Sequence, residues 1–392
     1  EAWRKSGSWR LSALAVALAC GMTINNLPTR PQIWSWVPFM IFLIILGKFV
    51  DGQISARWLL LLPAMMTFWV NAHGAFILGG VMIGIFFVGE SLRKLITPDE
   101  GLTWRKIYYL GGTGVLSGLA MVVNPRHIGI IGYVIDLLTD KPSQKLIIEW
   151  QSPSPVGIAN IIFFISVVLL IVMLVYTQKR PTITETLLLI SFLWLAWSGQ
   201  RYVVWYGLVS MPIIIKVIQG LPIPTPLLVP QRNRLNLPIA ILLFLPVLFV
   251  QPWFVERFPL PERYWKLVIR NSAVGPLIGV ETPVEAVKYL HENPGGKIFN
   301  EMGYGSYMIW AIPEQGVFID PRVELYPYEQ WEDYVRISNG TQYNKLLEKY
   351  GADRILLDTE LQSELAKLLE KDPSWNIEFK GMRSQIWRKT QP

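Results

Sequence analysis

Acidic side chains are scarce in the first two thirds of this 392-residue sequence. Only nine of its 29 Asp and Glu residues precede residue 256, whereas 19 of its 36 Lys and Arg residues do. The formal charge is therefore about +10 before residue 256 and about −3 after it. Long apolar runs fill the acid-poor part, so we predict a membrane domain followed by a water-soluble domain. Because this basic excess reports membrane topology, we expect no nucleic-acid partner.

Cysteine is also scarce. The one cysteine, Cys20, lies inside an apolar run, which excludes a disulfide framework and a thiol metal site. The sequence opens on Glu1, and the basic segment after it has no signal-peptide cleavage pattern. We therefore expect the sequence to begin within a longer chain.

The sequence has only three histidines. His73 and His127, together with Asp136, Asp140 or Glu149, have the chemistry to bind a divalent cation. No pair of them shows the spacing of a known ligand geometry. The need for a metal cofactor stays open at this point.

Nine apolar segments are long enough to cross or nearly cross a bilayer, given about 20 residues for each span. With the N-terminus inside, 14 Lys and Arg residues fall in cytoplasmic loops and five in the loops of the other face, as the positive-inside rule requires. The last third of the chain is then predicted to be extracytoplasmic. The nine predicted spans lie near residues 9–24, 34–50, 58–71, 74–92, 107–123, 156–178, 183–198, 202–219 and 237–254.

A polar stretch, residues 69–76 (WVNAHGAF), interrupts two of these runs on the outer face. Asn71 and His73 would lie at the membrane rim, where an amide and an imidazole can contact a ligand. The alternative is a tight turn in which Gly74 supplies backbone freedom and the two polar side chains cap helices.

The longest loop between spans, residues 124–155, is predicted on the same face. Asn124 is followed by Pro125, which ends the preceding helix, and Arg126 and His127 come next. Residues 128–138 are predicted to form an amphipathic helix on the membrane surface. Such a helix suits a protein that a lipid-linked substrate enters laterally from the membrane. The alternative is a structural plug over the helix ends.

Glu149 is the best-placed carboxylate of this loop. If it is desolvated, it suits a general base or a group that positions a substrate. The alternative is a surface ion pair with Lys145.

Arg201 lies at another outer junction, between Gln200 and Tyr202. A guanidinium at this place suits a lipid phosphate. The alternative is a side chain that extends to the interface beside neighbouring tryptophans.

After a predicted linker at 256–280, residues 281–392 have the periodicity of a small α/β domain. A helix is predicted from Pro283 to about Glu292, with others near 329–337, 343–350 and 361–371. Strands are predicted at 297–300, 317–320, 354–358, 376–380 and 384–388.

Two motifs of this domain invite a functional interpretation. The glycines of residues 303–307 (GYGSY) look superficially like a phosphate-binding turn, but the spacing of a dinucleotide site and the lysine of a nucleotide loop are missing. They more simply allow close helix packing. Asp320, Arg322 and Glu324 follow a predicted strand, where they would bind phosphate or sugar hydroxyls, or else stabilise their own loop.

Several short motifs resemble those of a family of bacterial polytopic membrane proteins that are similar to the GT-C class of glycosyltransferases. The resemblance extends over nearly the whole chain. The motifs are RPQ at 30–32, WVNAHG at 69–74, NP at 124–125, EW at 149–150, QR at 200–201, GYGSY at 303–307 and FIDPRVELY at 318–326.

The resemblance implies a sugar transfer from a polyprenyl-phosphate donor to a lipid, glycan or protein acceptor, at the outer face of the bacterial inner membrane. GT-C enzymes usually carry an acidic residue in the first outer loop, whereas the loop after the first span here carries Asn25, Asn26 and Arg30 and no acid.

In this interpretation Arg201 and Arg126 hold the donor phosphate, and Asn71 binds the sugar. Glu149 and His73 position the acceptor or assist proton transfer. Two other classes of function stay in view. One is a lipid-linked glycan transporter or flippase, and the other is a non-catalytic envelope protein that binds glycan or assembles with a partner.

Overall fold

The computed structural model describes residues 1–26, 31–140, 144, 147–222, 236–249, 257, 278–279 and 281–390. The chain divides into two compact units, Glu1–Gln231 and Arg232–Pro392. Arg30, Lys145 and nearly all of the predicted linker 256–280 lie outside the described residues.

The first unit is a bundle of α-helices joined by short loops and 3-10 turns. Its described helices are α1 Ala2–Ser6, α2 Trp9–Thr23, α3 Trp36–Val50, α4 Leu61–Ala72, α5 Ile77–Ile96, α6 Trp104–Ala120, α7 Gly129–Thr139, α8 Ile158–Tyr176, α9 Ile183–Ser198 and α10 Val203–Gln219.

Helix α10 lies at the centre of this bundle and packs against α2, α8 and α9. It is preceded by the 3-10 turn Gln200–Tyr202, and 67% of the apolar segment Gln200–Gln219 is buried. Helix α8 is more apolar, with a mean hydropathy of 3.1, yet only 28% of it is buried. A helix that is apolar on every side and largely uncovered is typical of one that faces lipid.

Aromatic side chains fill the core of the bundle. Phe39 packs against Phe192 and Trp205, with ring centroids 5.5 and 4.8 Å apart. Phe42 packs edge-on against Trp69 at 5.6 Å. All five rings are almost completely buried, and this apolar contact holds α3, α4, α9 and α10 together.

Four helical segments of the described residues are long and apolar enough to cross a membrane: Pro31–Val50, Gly74–Ile96, Ile158–Tyr176 and Gln200–Gln219. Each coincides with a predicted span. The described helices at the other predicted positions are shorter, such as α2 and α9. The chain thus has the helices of a membrane protein, and the count of nine spans stays a prediction.

Helices α5 and α9 approach closely near one end of the bundle. A Cβ added to Gly89 would lie 2.5 Å from Thr184 Oγ1 and 2.7 Å from its Cα. Thr184 donates a 2.7 Å hydrogen bond to the carboxylate of Glu90, which is completely buried. Arg93 lies 3.8 Å from the second oxygen of that carboxylate, and this oxygen has no hydrogen-bond partner among the described residues.

The second unit contains a four-stranded sheet and six described α-helices. Its strands are β1 Ile298–Asn300, β2 Arg354–Asp358, β3 Trp375–Lys380 and β4 Ser384–Lys389, in the order β1-β2-β4-β3. Only β1 and β2 are parallel, and β4 pairs antiparallel with β2 and β3. The helices are α11 Asn236–Phe249, α12 Val284–Glu292, α13 Met302–Ala311, α14 Tyr328–Ser338, α15 Tyr343–Lys349 and α16 Ser363–Leu369.

The strand predicted at 317–320 is wrong, because this segment joins no ladder of the sheet. It runs instead beside the end of β1, where the side chain of Asn300 forms the hydrogen bonds that a neighbouring strand would otherwise form. Asn300 accepts a 2.8 Å hydrogen bond from the amide of Phe318 and donates one of 2.8 Å to the carbonyl of Ile319. A buried side-chain amide therefore satisfies backbone groups that a strand would have paired.

The glycines of residues 303–307 lie inside α13 and form no phosphate-binding loop. A Cβ on Gly305 would lie 2.3 Å from the carbonyl oxygen of Ile319, so this glycine permits the close approach of α13 to the extended segment. Glu301 caps the helix by accepting a 3.0 Å hydrogen bond from the amide of Tyr304. Gly305 thus permits close packing, as the simpler interpretation proposed, but against this extended segment and not against a strand of the sheet.

Candidate functional site

A largely apolar cavity of about 820 Å³ lies in the first unit. Apolar side chains of α5, α7 and α9 form most of its wall. Polar side chains and the aromatic side chains of Tyr and Trp come from both the short turns and the helices. They are Gln32, His73, Tyr133, Trp150, Ser191, Trp194, Arg201, Tyr202 and Trp205.

Arg201 is the charged group of the cavity wall. Its guanidinium carbon lies 4.4 Å from the centre of the Trp150 ring and 5.8 Å from that of Tyr202. Stacking on an aromatic face holds a guanidinium flat while leaving its N–H groups free to bind an anion. Within the described residues, Arg201 forms no ion pair with a carboxylate. An arginine held in this way at a cavity is suited to a phosphate or carboxylate ligand.

Buried amides hold the turn that carries Arg201. Gln32, which is 8% exposed, donates a 3.3 Å hydrogen bond to the carbonyl of Arg201. Asn160 donates one of 3.2 Å to the side-chain oxygen of Gln200, and the backbone amide of Gln200 donates one of 2.9 Å to the backbone carbonyl of Gln151. The turn is thereby fastened to three separate segments of the chain, and the guanidinium is placed by the fold.

Arg126 lies beside the same cavity. Its guanidinium carbon is 4.5 Å from the centre of the ring of Tyr133, which lines the cavity from α7. Arg126 itself is exposed and is not part of the lining. The two arginines proposed from the sequence therefore share an arrangement, each stacked on an aromatic side chain of the cavity wall.

Asn124 and His127 build the turn that presents Arg126. Asn124 accepts a 2.7 Å hydrogen bond from the Arg126 amide and donates to the carbonyls of Met121 and His127 at 2.7 and 3.1 Å. His127 is exposed and has a φ of 48°, in the left-handed region. All of Asn124's side-chain hydrogen bonds go to nearby backbone, so these contacts give it a structural role.

His73 lies at the junction of α4 and α5 and lines the cavity. Its Nδ1 accepts a 3.2 Å hydrogen bond from the amide of Ala75 and lies 2.9 Å from Ser35 Oγ. His73 thus caps the 3-10 turn Gly74–Phe76 and also reaches the cavity. Both interpretations of this histidine, cap and site residue, are compatible with its position.

Burial and the nearby Arg201 charge lower the pKa of His73 to about 4. Both effects disfavour the imidazolium form, burial more than the arginine. At neutral pH the side chain is therefore uncharged, and the positive charge of the cavity comes from arginine.

Asn71 does not line the cavity. Its side-chain amide donates 2.8 Å hydrogen bonds to the carbonyls of Thr67 and Val123. It therefore fastens the last turn of α4 to the segment after α6, as a structural cap would. The predicted contact between Asn71 and a sugar finds no support in this position and stays a proposal.

Glu149 lies on the 3-10 turn Ile148–Trp150 and is half-buried. Its neighbour Trp150 lines the cavity, and Glu149 is not among the lining residues. The tryptophan of this turn reaches the cavity, and the role predicted for Glu149 stays a proposal. The alternative of an ion pair with Lys145 falls outside the described residues.

The three candidates of the C-terminal unit form their own local network. Asp320, which is 1% exposed, accepts 2.9 Å hydrogen bonds from the Nε and Nη2 atoms of Arg322 and a further hydrogen bond from Tyr326. Burial acts to raise the pKa of Asp320, but the hydrogen bonds from Arg322 and Tyr326 outweigh it and hold the pKa below its usual value. Glu324 is exposed. The alternative of an internal loop network accounts for the Asp320–Arg322 pair.

No group of three His, Cys, Asp or Glu side chains within the described residues is placed to hold a metal ion. His73 and His127 occupy different surroundings, one half-buried at the cavity and the other on an exposed turn. A divalent cation stays a proposal without support from these positions.

The sequence did not point to Tyr133 and Trp150 as the stacking partners in the cavity wall, nor to Ser35, which contacts His73. Aromatic residues are frequent in this sequence, with 17 tryptophans and 15 tyrosines. Composition therefore gave no reason to single out two of them.

No protein-family model matches the chain, and no curated protein matches it significantly. Among the solved structures similar to it is the crystal structure of the Archaeoglobus fulgidus oligosaccharyltransferase in the apo form. That match has a TM-score of 0.38 and 10% sequence identity, and covers 92% of this chain and 57% of that one. The chain therefore spans a little over half the length of that protein. The proposal that follows is built on the cavity residues and the sequence motifs.

Proposed function

We propose that this chain is a membrane glycosyltransferase that takes a sugar from a polyprenyl-phosphate donor, with the donor bound in the cavity of the first unit. The observation that carries the proposal is the pairing of Arg201 with Trp150, and of Arg126 with Tyr133, at an otherwise apolar cavity. The transfer reaction and an extracytoplasmic acceptor come from the resemblance of the sequence motifs.

The chemistry of the cavity matches an amphiphile with an anionic head. Its walls are mostly Ile, Leu, Val, Phe and Trp, which favour a hydrocarbon chain, while Arg201 supplies a charge that favours a phosphate. The volume of about 820 Å³ accommodates a head group and the first isoprenoid units of such a lipid. A soluble nucleotide donor would leave most of this apolar wall without a partner.

Helix α7 contributes Tyr133, Val134, Leu137 and Leu138 to the cavity wall. Its other face exposes Ile131 and Ile135, so the helix is apolar on two sides. The helix coincides with the one predicted at 128–138, and its uncovered apolar side supports the proposal that a lipid enters laterally beneath it. A plug without a ligand needs no cavity under the helix.

Binding of polyprenyl phosphate and a panel of polyprenyl-phosphate sugars to the full-length protein in lipid nanodiscs tests the proposal. We expect saturable binding that weakens about 10- to 100-fold in Arg201→Ala, because a charged hydrogen bond to phosphate is lost. Arg201→Lys keeps the charge but loses the planar stacked fork, so it is expected to recover only part of the affinity.

Arg105→Ala is the matched control. Arg105 is an exposed arginine on α6 whose guanidinium carbon lies 5.8 Å from the ring of Tyr109, and it does not line the cavity. We expect its removal to leave binding unchanged. If Arg201→Ala folds and binds polyprenyl phosphate as tightly as the unaltered protein, the cavity is not the donor site. If no lipid of the panel binds, the non-catalytic envelope role takes precedence.

A further inference from the structure

Two groups contact Nδ1 of His73, and a third orients one of them, so that together they determine where the proton of the ring lies. The amide of Ala75 is 3.2 Å from Nδ1, and Ser35 Oγ is 2.9 Å from it. The indole nitrogen of Trp69 is in turn 2.8 Å from the same serine oxygen. Ser35 and Trp69 are both completely buried, so water does not compete for these bonds.

The directions of these hydrogen bonds follow from their donors. A backbone amide and an indole N–H can only donate. Because the Ala75 amide donates to Nδ1, that nitrogen carries a lone pair and no proton. The Ser35 hydroxyl accepts a hydrogen bond from Trp69 and donates one to Nδ1. Each donor of this small network therefore has an acceptor.

A neutral imidazole carries one proton, which must then be on Nε2. His73 lines the cavity, and the structure shows no protein partner for Nε2 among the described residues. Nε2–H is consequently the hydrogen-bonding group that this ring has left for a ligand.

We propose that Ser35 is a positioning residue that fixes His73 as the Nε2–H tautomer, so that His73 is a hydrogen-bond donor to a phosphate or sugar oxygen in the cavity. The sequence left open whether His73 positions the acceptor or assists proton transfer, and this arrangement favours positioning. Neither ring nitrogen can accept a proton from an acceptor hydroxyl while this arrangement holds, so His73 orients a ligand and is not the general base. The significance for glycosyl transfer depends on the proposed function, whereas the tautomer does not.

The experiment is nitrogen-15 NMR of the full chain in nanodiscs, labelled at histidine. This sequence has three histidines, and comparison with the spectrum of His73→Gln identifies the signals of His73. At pH 7.5 we expect Nδ1 to resonate as an unprotonated ring nitrogen and Nε2 to show a one-bond coupling to hydrogen. A Nδ1–H tautomer, or an equal mixture of the two, in the unaltered protein would overturn the proposal.

Variants separate Ser35 from the other donor. Ser35→Ala leaves Ala75 as the one donor to Nδ1, so we expect the minor tautomer to increase about fivefold, the factor that one net hydrogen bond provides. Ser35→Thr keeps the hydroxyl and is expected to restore the original ratio. If Ser35→Ala folds with an unchanged ratio, the serine does not position the ring.

Ser117→Ala is the control for removing a buried hydroxyl. Ser117 is 1% exposed, lies on α6 and has no hydrogen-bond partner for its hydroxyl, so the tautomer ratio of His73 should not change. The measurement on the unaltered protein decides the tautomer even if Ser35→Ala fails to fold. Because no ligand is added, the result is independent of whether the cavity binds a polyprenyl phosphate.

Discussion

A single side chain, His73, serves the backbone and the cavity at the same time. It caps a turn through Nδ1 and leaves Nε2 for a ligand. The two interpretations drawn from the sequence were therefore not exclusive. A capping histidine is held in place by the fold, which is an advantage for a group that must meet a ligand in a fixed orientation.

His73 also predicts how stability depends on pH. Its pKa is lowered from 6.5 to about 4 in the folded protein, so between these values the unfolded chain binds a proton that the folded chain does not. The free energy of unfolding should therefore fall, by up to about 3 kcal/mol, as the pH decreases from 6.5 to 4. His73→Gln, which does not titrate, should lack this part of the loss. Thermal unfolding of both proteins in the same detergent at pH 7.5, 5.5 and 4 measures it, and parallel pH profiles would contradict it.

In the C-terminal unit, Asp320 predicts a change of the same direction in a lower pH range. Its pKa is held below the usual value by Arg322 and Tyr326. The carboxylate therefore contributes stability above pH 3.8, and this contribution is lost as the pH falls through its lowered pKa. Asp320→Asn is expected to lower the free energy of unfolding by about 1–3 kcal/mol at pH 7, because a buried charged bond is lost.

The test of Asp320 compares unfolding of the full chain and of Asp320→Asn at pH 7 and below pH 3. The difference between the two proteins should shrink at the lower pH. A difference that is the same at both would mean that the carboxylate charge is not what stabilises this loop. Asp99→Asn, at an exposed turn, is the control for replacing a surface carboxylate.

The sequence singled out Arg201 and His73 of the cavity wall, and Arg126 beside it, more readily than the residues that contact them. Arg201, Arg126 and His73 stood out because polar groups are rare near apolar runs, where their burial is costly. Ser35 and Tyr133 did not, since a serine at a helix end and a tyrosine within an apolar helix are compatible with many roles. Glu149 was favoured as an acid in an acid-poor domain, although its neighbour Trp150 is the residue that lines the cavity.

At the scale of elements, the contact of α5 with α9 depends on one glycine. Gly89→Ala would place Cβ 2.7 Å from the backbone Cα of Thr184, which the backbone can relieve only by moving the helices apart. We expect a loss of about 1–3 kcal/mol of stability, seen as a lower unfolding temperature in detergent.

Gly84→Ala is the matched control on the same helix. A Cβ at Gly84 has nothing within 4 Å, so the change should leave stability unaltered or raise it by up to about 1 kcal/mol, through helix propensity. Equal effects of the two substitutions would show that the α5–α9 contact is loose at Gly89.

Elements were predictable to the extent that their own residues determine them. The helices predicted in the C-terminal domain are present because an apolar face recurs with helical period. The strand at 317–320 was wrong because Asn300, far away in sequence, satisfies its backbone. The local pattern of residues 317–320 cannot indicate a hydrogen-bond partner as distant in sequence as Asn300.

At the scale of the whole molecule, the distribution of basic residues predicts which loops face the cytoplasm. Single cysteines in a Cys20→Ser background test this with a membrane-impermeant maleimide in intact cells. Ser154→Cys, on an exposed loop, should react from outside, and Asp99→Cys should react only after the membrane is permeabilised. The opposite pattern would reverse the orientation, and reaction of both from outside would contradict the alternation of the spans.

Helix α8 carries a consequence for the molecule as a whole. Most of its apolar surface is uncovered by protein, and an exposed apolar surface of this extent is not tolerated by a monomer in water. In the membrane domain predicted from the sequence, acyl chains of lipid or detergent cover this helix and complete its folded state. The free energy of unfolding of this chain consequently belongs to the protein and its amphiphile together, and exchanging a long-chain detergent for a short one changes the native state itself.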